Sequence, residues 1–177
     1  VQYFIAIVPP DDYKDQITSF RNRWEHHRLN EVAEPHITVK AQGGLTADLT
    51  WLDKVKVLCS SVQRFQLTFI EPSAFGKEVV FLGVRSKEIY EFHRLLVGTV
   101  APPSELIKQY FELDEFHPHL TLGQTHWGMQ ESEVEEMKLT SKHALAPFPT
   151  FMVTHVRVYQ EVEPNRYAPF EDIPLTR

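Results

Sequence analysis

The chain has 177 residues, 42% of them hydrophobic, a formal net charge of −6 and a single cysteine. That length suits one compact domain, or two small lobes on a shared core, and the mixture is that of a globular protein. The negative charge argues against a long nucleic acid bound along a basic groove, one cysteine forbids an intrachain disulfide, and no apolar run is long enough to span a membrane.

Tyr3 to Val8 reads as a strand closed by Pro9-Pro10. Asp11 and Asp12 open a helix on which Tyr13, Ile17, Phe20 and Trp24 recur at helical spacing, a stripe for core packing. His26-His27 then reads as a solvated helix terminus. A strand over about 35–40 is broken by Gln42-Gly43-Gly44, and Leu49, Leu52, Val55, Cys59 and Val62 mark a second amphipathic helix. Cys59 on that stripe is predicted to be a buried structural thiol. Gln66 to Ile70 is a third strand, ended by Glu71-Pro72 and followed by a turn over 73–77.

The pattern then repeats. Glu78 to Val84 is a strand, and Ile89, Phe92, Leu96 and Val100 mark the helix after it. Pro102-Pro103 stops that helix, Leu106 to Leu113 is a short helical connection, and a strand follows over about 117–123. Glu131 to His143 is a charged helix. Phe151 to Glu161 alternates as one long strand, Pro164 to Arg166 turns the chain, and Tyr167 to Leu175 returns as an irregular edge strand. The expected organisation is a single domain, 1–177, with two internal repeats over roughly 1–72 and 77–177.

Each repeat contains one pentapeptide of the same form, Pro35-His36-Ile37-Thr38-Val39 and Pro118-His119-Leu120-Thr121-Leu122. Side chains alternate along a strand, so His36 and Thr38 share one face and Ile37 and Val39 the other. His119 and Thr121 are paired likewise. Each motif can bury its aliphatic face and present an imidazole and a hydroxyl to a cleft. A pseudo-two-fold arrangement would set the two motif strands face to face across a groove.

Two opposed imidazoles suit phosphodiester cleavage, which needs a base for the attacking oxygen and an acid for the leaving one. Histidine titrates near ~6.5, so one ring can be neutral while its partner is charged. The hydroxyls of Thr38 and Thr121 can donate to phosphate oxygens as charge grows there. No metal enters this scheme. Two other readings stand beside it: an idle nucleotide- or RNA-binding module, and a zinc hydrolase using His117, His119 and His126. Lys40 shares the His36 face if the strand continues regularly and, with Arg166 and Tyr167, is a candidate substrate contact; Phe75 and Tyr167 can each stack on a base or pack in the core.

The two His-aliphatic-Thr-aliphatic motifs, with Phe116-His117-Pro118 leading into the second, resemble the 2H phosphoesterase superfamily, which includes the 2′-5′ RNA ligase-like proteins and cyclic phosphodiesterases. The resemblance covers nearly the whole chain, because the strand–helix order around each motif fits too. It implies an α+β, bilobal fold: two pseudo-symmetric antiparallel-sheet lobes with outer helices around a central groove. It further implies attack on 2′,3′-cyclic or 2′-5′ phosphodiesters without metal or other cofactor, with His36 and His119 as acid and base and Thr38 and Thr121 holding phosphate. Many ligase-like members carry a basic residue after the second motif, where this chain has Gly123-Gln124. The first motif is followed by Lys40 to Gly44 instead of an aromatic-rich stretch. Both departures point away from the RNA-specific subfamily, and with the negative net charge the expected substrate is a small nucleotide or short RNA phosphoester. A monomer is expected. A cytoplasmic location is expected, since no charged-then-apolar signal opens the chain. Val1 in place of methionine leaves the native N-terminus open.

Overall fold

The computed structural model describes all of residues 1–177 and contains eight strands in two four-stranded antiparallel sheets. In chain order the elements are β1 (Tyr3–Ile7), α1 (Asp11–Arg21), α2 (Leu29–Val32), β2 (Ile37–Lys40), α3 (Leu52–Cys59) and β3 (Phe65–Phe75). There follow β4 (Val79–Arg85), α4 (Glu88–Val100), α5 (Ser104–Gln109), β5 (His119–Gln124), α6 (Glu131–Ala144), β6 (Thr150–Val153), β7 (His155–Glu163) and β8 (Arg166–Pro174). One sheet runs β2-β1-β7-β8 and the other β5-β4-β3-β6. The fold is α+β and bilobal, as the motif pattern implies.

Helical periodicity explains how the sheets are covered. Tyr13, Ile17 and Phe20 of α1, Val55 and Cys59 of α3, Ile89, Phe92 and Leu96 of α4, and Val134 and Met137 of α6 are all buried. They join Ile5, Ile37, Val39, Leu82, Leu120 and Leu122 of the strands in one continuous cluster, so both lobes rest on a single core. Cys59 lies wholly inside it, and burial pushes its thiol up to about 12, which leaves it inert at neutral pH.

Each half begins with strands and helices in alternation, but the two halves are not the lobes. β3, from the first half, pairs with β4 of the second, and β7, from the second half, pairs with β1 of the first. The first half therefore sends its third strand, β3, into the other half's sheet, and the second half sends its last two, β7 and β8, into the first's. The strand predicted over 151–161 is broken at Thr154, where the chain leaves one sheet for the other. Val153 faces the core on one side of the break and Val156 and Val158 on the other, so the inward parity flips there.

Pro72 does not end β3. A register shift between Ile70 and Pro72 admits the proline as a bulge, and the strand runs on to Phe75 before turning at Gly76, whose φ is +56°. His27 is also not solvated. It is buried, neither ring nitrogen has a hydrogen-bond partner, and burial is the main cause that lowers its pKa to about 4. The segment after α1 folds back against the loop before α6, where Arg28 N donates to Trp127 O at 2.9 Å.

Candidate active site

β2 and β5 are the edge strands of their sheets and meet across the groove between the lobes. Their pairing is set by neighbours in the core: Ala6 opposite Thr38 and Ile7 opposite Ile37 on one side, Phe81 opposite Thr121 and Gly83 opposite His119 on the other. With Ile37, Val39, Leu120 and Leu122 fully buried, the strand period leaves His36, Thr38, His119 and Thr121 on the opposite faces, each partly open.

The two histidines are held in the same way. Nδ1 of His36 lies 2.7 Å from the carbonyl oxygen of Glu34, and Nδ1 of His119 lies 2.7 Å from that of His117. A carbonyl can only accept, so each neutral ring carries its proton on Nδ1 and keeps the Nε2 lone pair free for chemistry. Each imidazole also rests against a stacked aromatic pair. Phe4 and Tyr159, 4.7 Å apart, lie 4.8 and 5.6 Å from His36; Phe75 and Phe81, 4.2 Å apart, lie 5.0 and 5.3 Å from His119.

These surroundings lower both pKa values. Burial is the largest influence on His36 and brings it to about 4; the bond to Glu34 resists, while the charges of Arg21 and of a protonated His119 push further down. Burial also lowers His119, with the bond to His117 resisting and the His117 ring adding to the fall. The lead-in to His36 is rigid. Glu34 accepts from Lys14 (3.0 Å), Arg157 (2.8 Å) and Tyr159 Oη (2.6 Å). Burial pushes its carboxyl up, but those three donors together outweigh it and leave the group ionised.

A cavity of about 580 Å³ opens beside the motifs, bounded by Thr38 and His119 at the site and by Phe75, Tyr110, Phe111 and Phe116 beyond it. Glu78, Glu112 and Glu115 line it, and no lysine or arginine does. The Phe111–Phe116 wall is fastened to β2 by two buried contacts. His93 receives Leu113 N–H on Nε2 at 2.9 Å and donates from Nδ1 to Val39 O at 2.7 Å, with its ring stacked on Phe116 at 3.8 Å. Lys40 is the second contact.

Lys40 corrects its sequence reading as a substrate contact. Its ammonium is fully buried and donates to Glu112 Oε1 (2.8 Å), Gly43 O (2.7 Å) and Ala41 O (2.8 Å), while Ala41 N donates to Glu112 Oε2. The end of β2 turns its side chain inward, so the charge is spent on the protein. Arg166 stands at the β7–β8 hairpin tip beside Glu163, 3.6 Å away, and is not part of the cavity wall. Tyr167 packs edge-on against Phe4, one ring removed from His36, with its hydroxyl engaged by Gln2 and Gln42. Phe75 lies on His119 and also lines the cavity.

The zinc reading finds no donor set, since no three His, Cys, Asp or Glu side chains come together as a metal-ligating group. His117 lies over Phe75 and Phe81, whereas His126 packs on Trp127. Just after the second motif, any side chain at position 123 would have to displace two methionines. A Cβ at Gly123 would stand 2.5–2.6 Å from the sulfurs of Met129 and Met137. Sequence reading missed Arg21, Glu34, Glu112 and the aromatic pairs. A single signal was available for Arg21, a cation one turn after Ile17 within an otherwise apolar stripe.

Paired His-x-Thr edge strands, opposed between two antiparallel sheets, define the layout of a 2H phosphoesterase. Residues 9–165 match the 2′-5′ RNA ligase superfamily, and the chain belongs to that family. Its fold is similar to that of Escherichia coli LigT in complex with 3′-AMP (22% identity, TM-score 0.61, 99% of this chain and 98% of that one). It is also similar to TT0787 of Thermus thermophilus (15% identity, TM-score 0.68, with the same coverage). No curated protein matches the chain. No helix is long and apolar enough to cross a membrane.

Proposed function

We propose that the protein is a metal-independent phosphodiesterase that cleaves a 2′,3′-cyclic phosphate or a 2′-5′ phosphodiester in a nucleotide or short RNA. One observation carries the reading. Both imidazoles are fixed through Nδ1 to the carbonyl two residues upstream, which leaves two Nε2 atoms of opposed strands to share one phosphate.

For a cyclic phosphate, one ring takes a proton from water as the oxygen attacks phosphorus. The bond from phosphorus to one ribose oxygen breaks, and the other ring protonates that oxygen. With a ribose hydroxyl in place of water, the same steps join it to the cyclic phosphate as one ring P–O bond breaks. This is ligation, the reverse of cleaving a 2′-5′ diester to a cyclic phosphate. His36, which burial brings down to about 4, is neutral at physiological pH and suited to act as the base, which leaves His119 as the acid. Thr38 and Thr121 donate to the non-bridging oxygens, each bond contributing roughly 1.5–3 kcal/mol to the charged transition state.

The cavity takes the base. Stacking on an aromatic side chain is worth roughly 1–3 kcal/mol per base, and four aromatic rings stand there with no cation to attract further phosphates. This supports a mononucleotide or a short end over a long RNA. Escherichia coli LigT, of the same fold, takes 3′-AMP.

The test is a panel of 2′,3′-cyclic nucleotides, 2′-5′ dinucleotides and cyclic dinucleotides. Turnover should fall roughly 10²–10⁴-fold in H36A and in H119A and be indifferent to EDTA. Full activity in both variants, or loss of activity in EDTA, would refute the reading. Because both rings have lowered pKa values, kcat/KM should peak below pH 6.5, whereas a profile flat with pH would contradict the two-histidine mechanism.

A further inference from the structure

Arg21 ends α1 with its side chain in the buried stripe, and only 1% of its surface is exposed. It takes part in none of the protein's ion pairs. A buried cation without a counter-ion is costly, and an apolar side chain of similar volume would avoid that cost. The guanidinium instead makes three bonds, all to neutral oxygens. Nη2 donates to Thr121 O at 2.6 Å, and Nη1 to Ala33 O at 3.2 Å and Asn30 Oδ1 at 3.0 Å, while Nε has no partner.

Two of these acceptors belong to the site. Thr121 is the hydroxyl residue of the second motif, and Ala33 opens the lead-in through Glu34 and Pro35 to His36. The motifs lie in different sheets, so a single planar fork spans the boundary between them. We propose that Arg21 is a positioning residue of the phosphoesterase site: its guanidinium ties the two motifs together, sets how far apart the imidazoles stand, and places a fixed positive charge beside His36. The proposal rests on the two-histidine reading above.

The surrounding groups agree with this assignment. Tyr159 of β7, His27 of the loop after α1 and Asn30 of α2 face the guanidinium. His36 in turn faces Arg21, Glu34, Tyr159 and His119. Among them Arg21 is the one permanent cation, so it opposes protonation of His36. Burial draws its own pKa down to about 9, which still leaves it charged at neutral pH.

Two variants separate the charge from the fork. R21M removes both, whereas R21K keeps a charge and loses the planar pair of donors. The His36 titration midpoint is read by NMR in the free protein, and kcat on a 2′,3′-cyclic nucleotide. R21M should raise the midpoint by about 0.5 or more and lower kcat roughly 10–100-fold, as a misplacement on the order of 1 Å would. R21K should leave the midpoint near wild type and still lose roughly 10-fold in kcat. An unmoved midpoint in R21M, or wild-type kcat in R21K, would overturn the proposal. If R21M does not fold, R21K decides by its kcat. If the wild type turns over no phosphodiester, the functional reading fails separately, and the R21M midpoint still tests the role of Arg21.

Discussion

Removing the Lys40 ammonium should unfold the protein at a much lower temperature without touching a catalytic group. Lys40 and Glu112 have side chains 0% and 2% exposed, and the ammonium makes three bonds of 2.7–2.8 Å. In K40M the Glu112 carboxylate stays buried with the Ala41 amide as its remaining donor, at 3.1 Å. Breaking a buried pair from one side costs about 3–5 kcal/mol, because the remaining charge has lost its counter-ion. For a chain of this size each kcal/mol moves the midpoint by roughly 2–4 °C, so the melt should fall by about 6–20 °C. The double variant K40M/E112L, which leaves neither charge, should recover most of that loss. Calorimetry of the three proteins measures both effects. Since Glu112 also anchors the cavity wall, KM in K40M should rise by more than kcat falls. A K40M melt within about 2 °C of wild type, or a double variant less stable than the single one, would refute the assignment.

Acid should destabilise the fold through its buried histidines. His36 and His27 both stand near 4 when folded against ~6.5 unfolded. The unfolded chain therefore binds more protons between those values. Stability is complete above pH 6.5, falls as pH drops toward 4, and flattens below, by roughly 3 kcal/mol per group. Denaturant melts across that window should show the slope, and H36Q should reduce it; an equal slope in H36Q would show that His36 is not held neutral. T38V and T121V should each lower kcat roughly 10–100-fold with little change in melting temperature, and wild-type kcat would remove the threonines from phosphate binding. F116A should raise KM for a cyclic mononucleotide several-fold while the pH profile keeps its shape. An unchanged KM would place the base outside the cavity.

Much of the site is legible in the sequence because strand geometry is local. A period of two puts His36 with Thr38 and His119 with Thr121 wherever the strands lie, and the buried aliphatic residues between them choose the face. The helices are legible for the same reason, since Ile17, Val55, Phe92 and Met137 follow a 3.6-residue period that needs no knowledge of partners. Lys40 shows where this reasoning stops. Its place in the strand pattern pointed to the groove, but a charge from residue 112 drew it inside, and nothing near residue 40 announces that pairing.

What only the tertiary structure decided is therefore non-local. The exchange of β3 and β7 between sheets, the break at Thr154, the Lys40–Glu112 pair and the reach of Arg21 to Thr121 all join residues far apart in the chain. Periodicity records which face of an element is apolar, whereas the identity of the element that covers it depends on packing and loop closure over the whole chain. Sequence by itself determined that two histidines and two threonines would be presented in matched pairs. The fold decided which side chains hold those pairs together, because a buried charge is placed by its partners and they come from elsewhere in the chain.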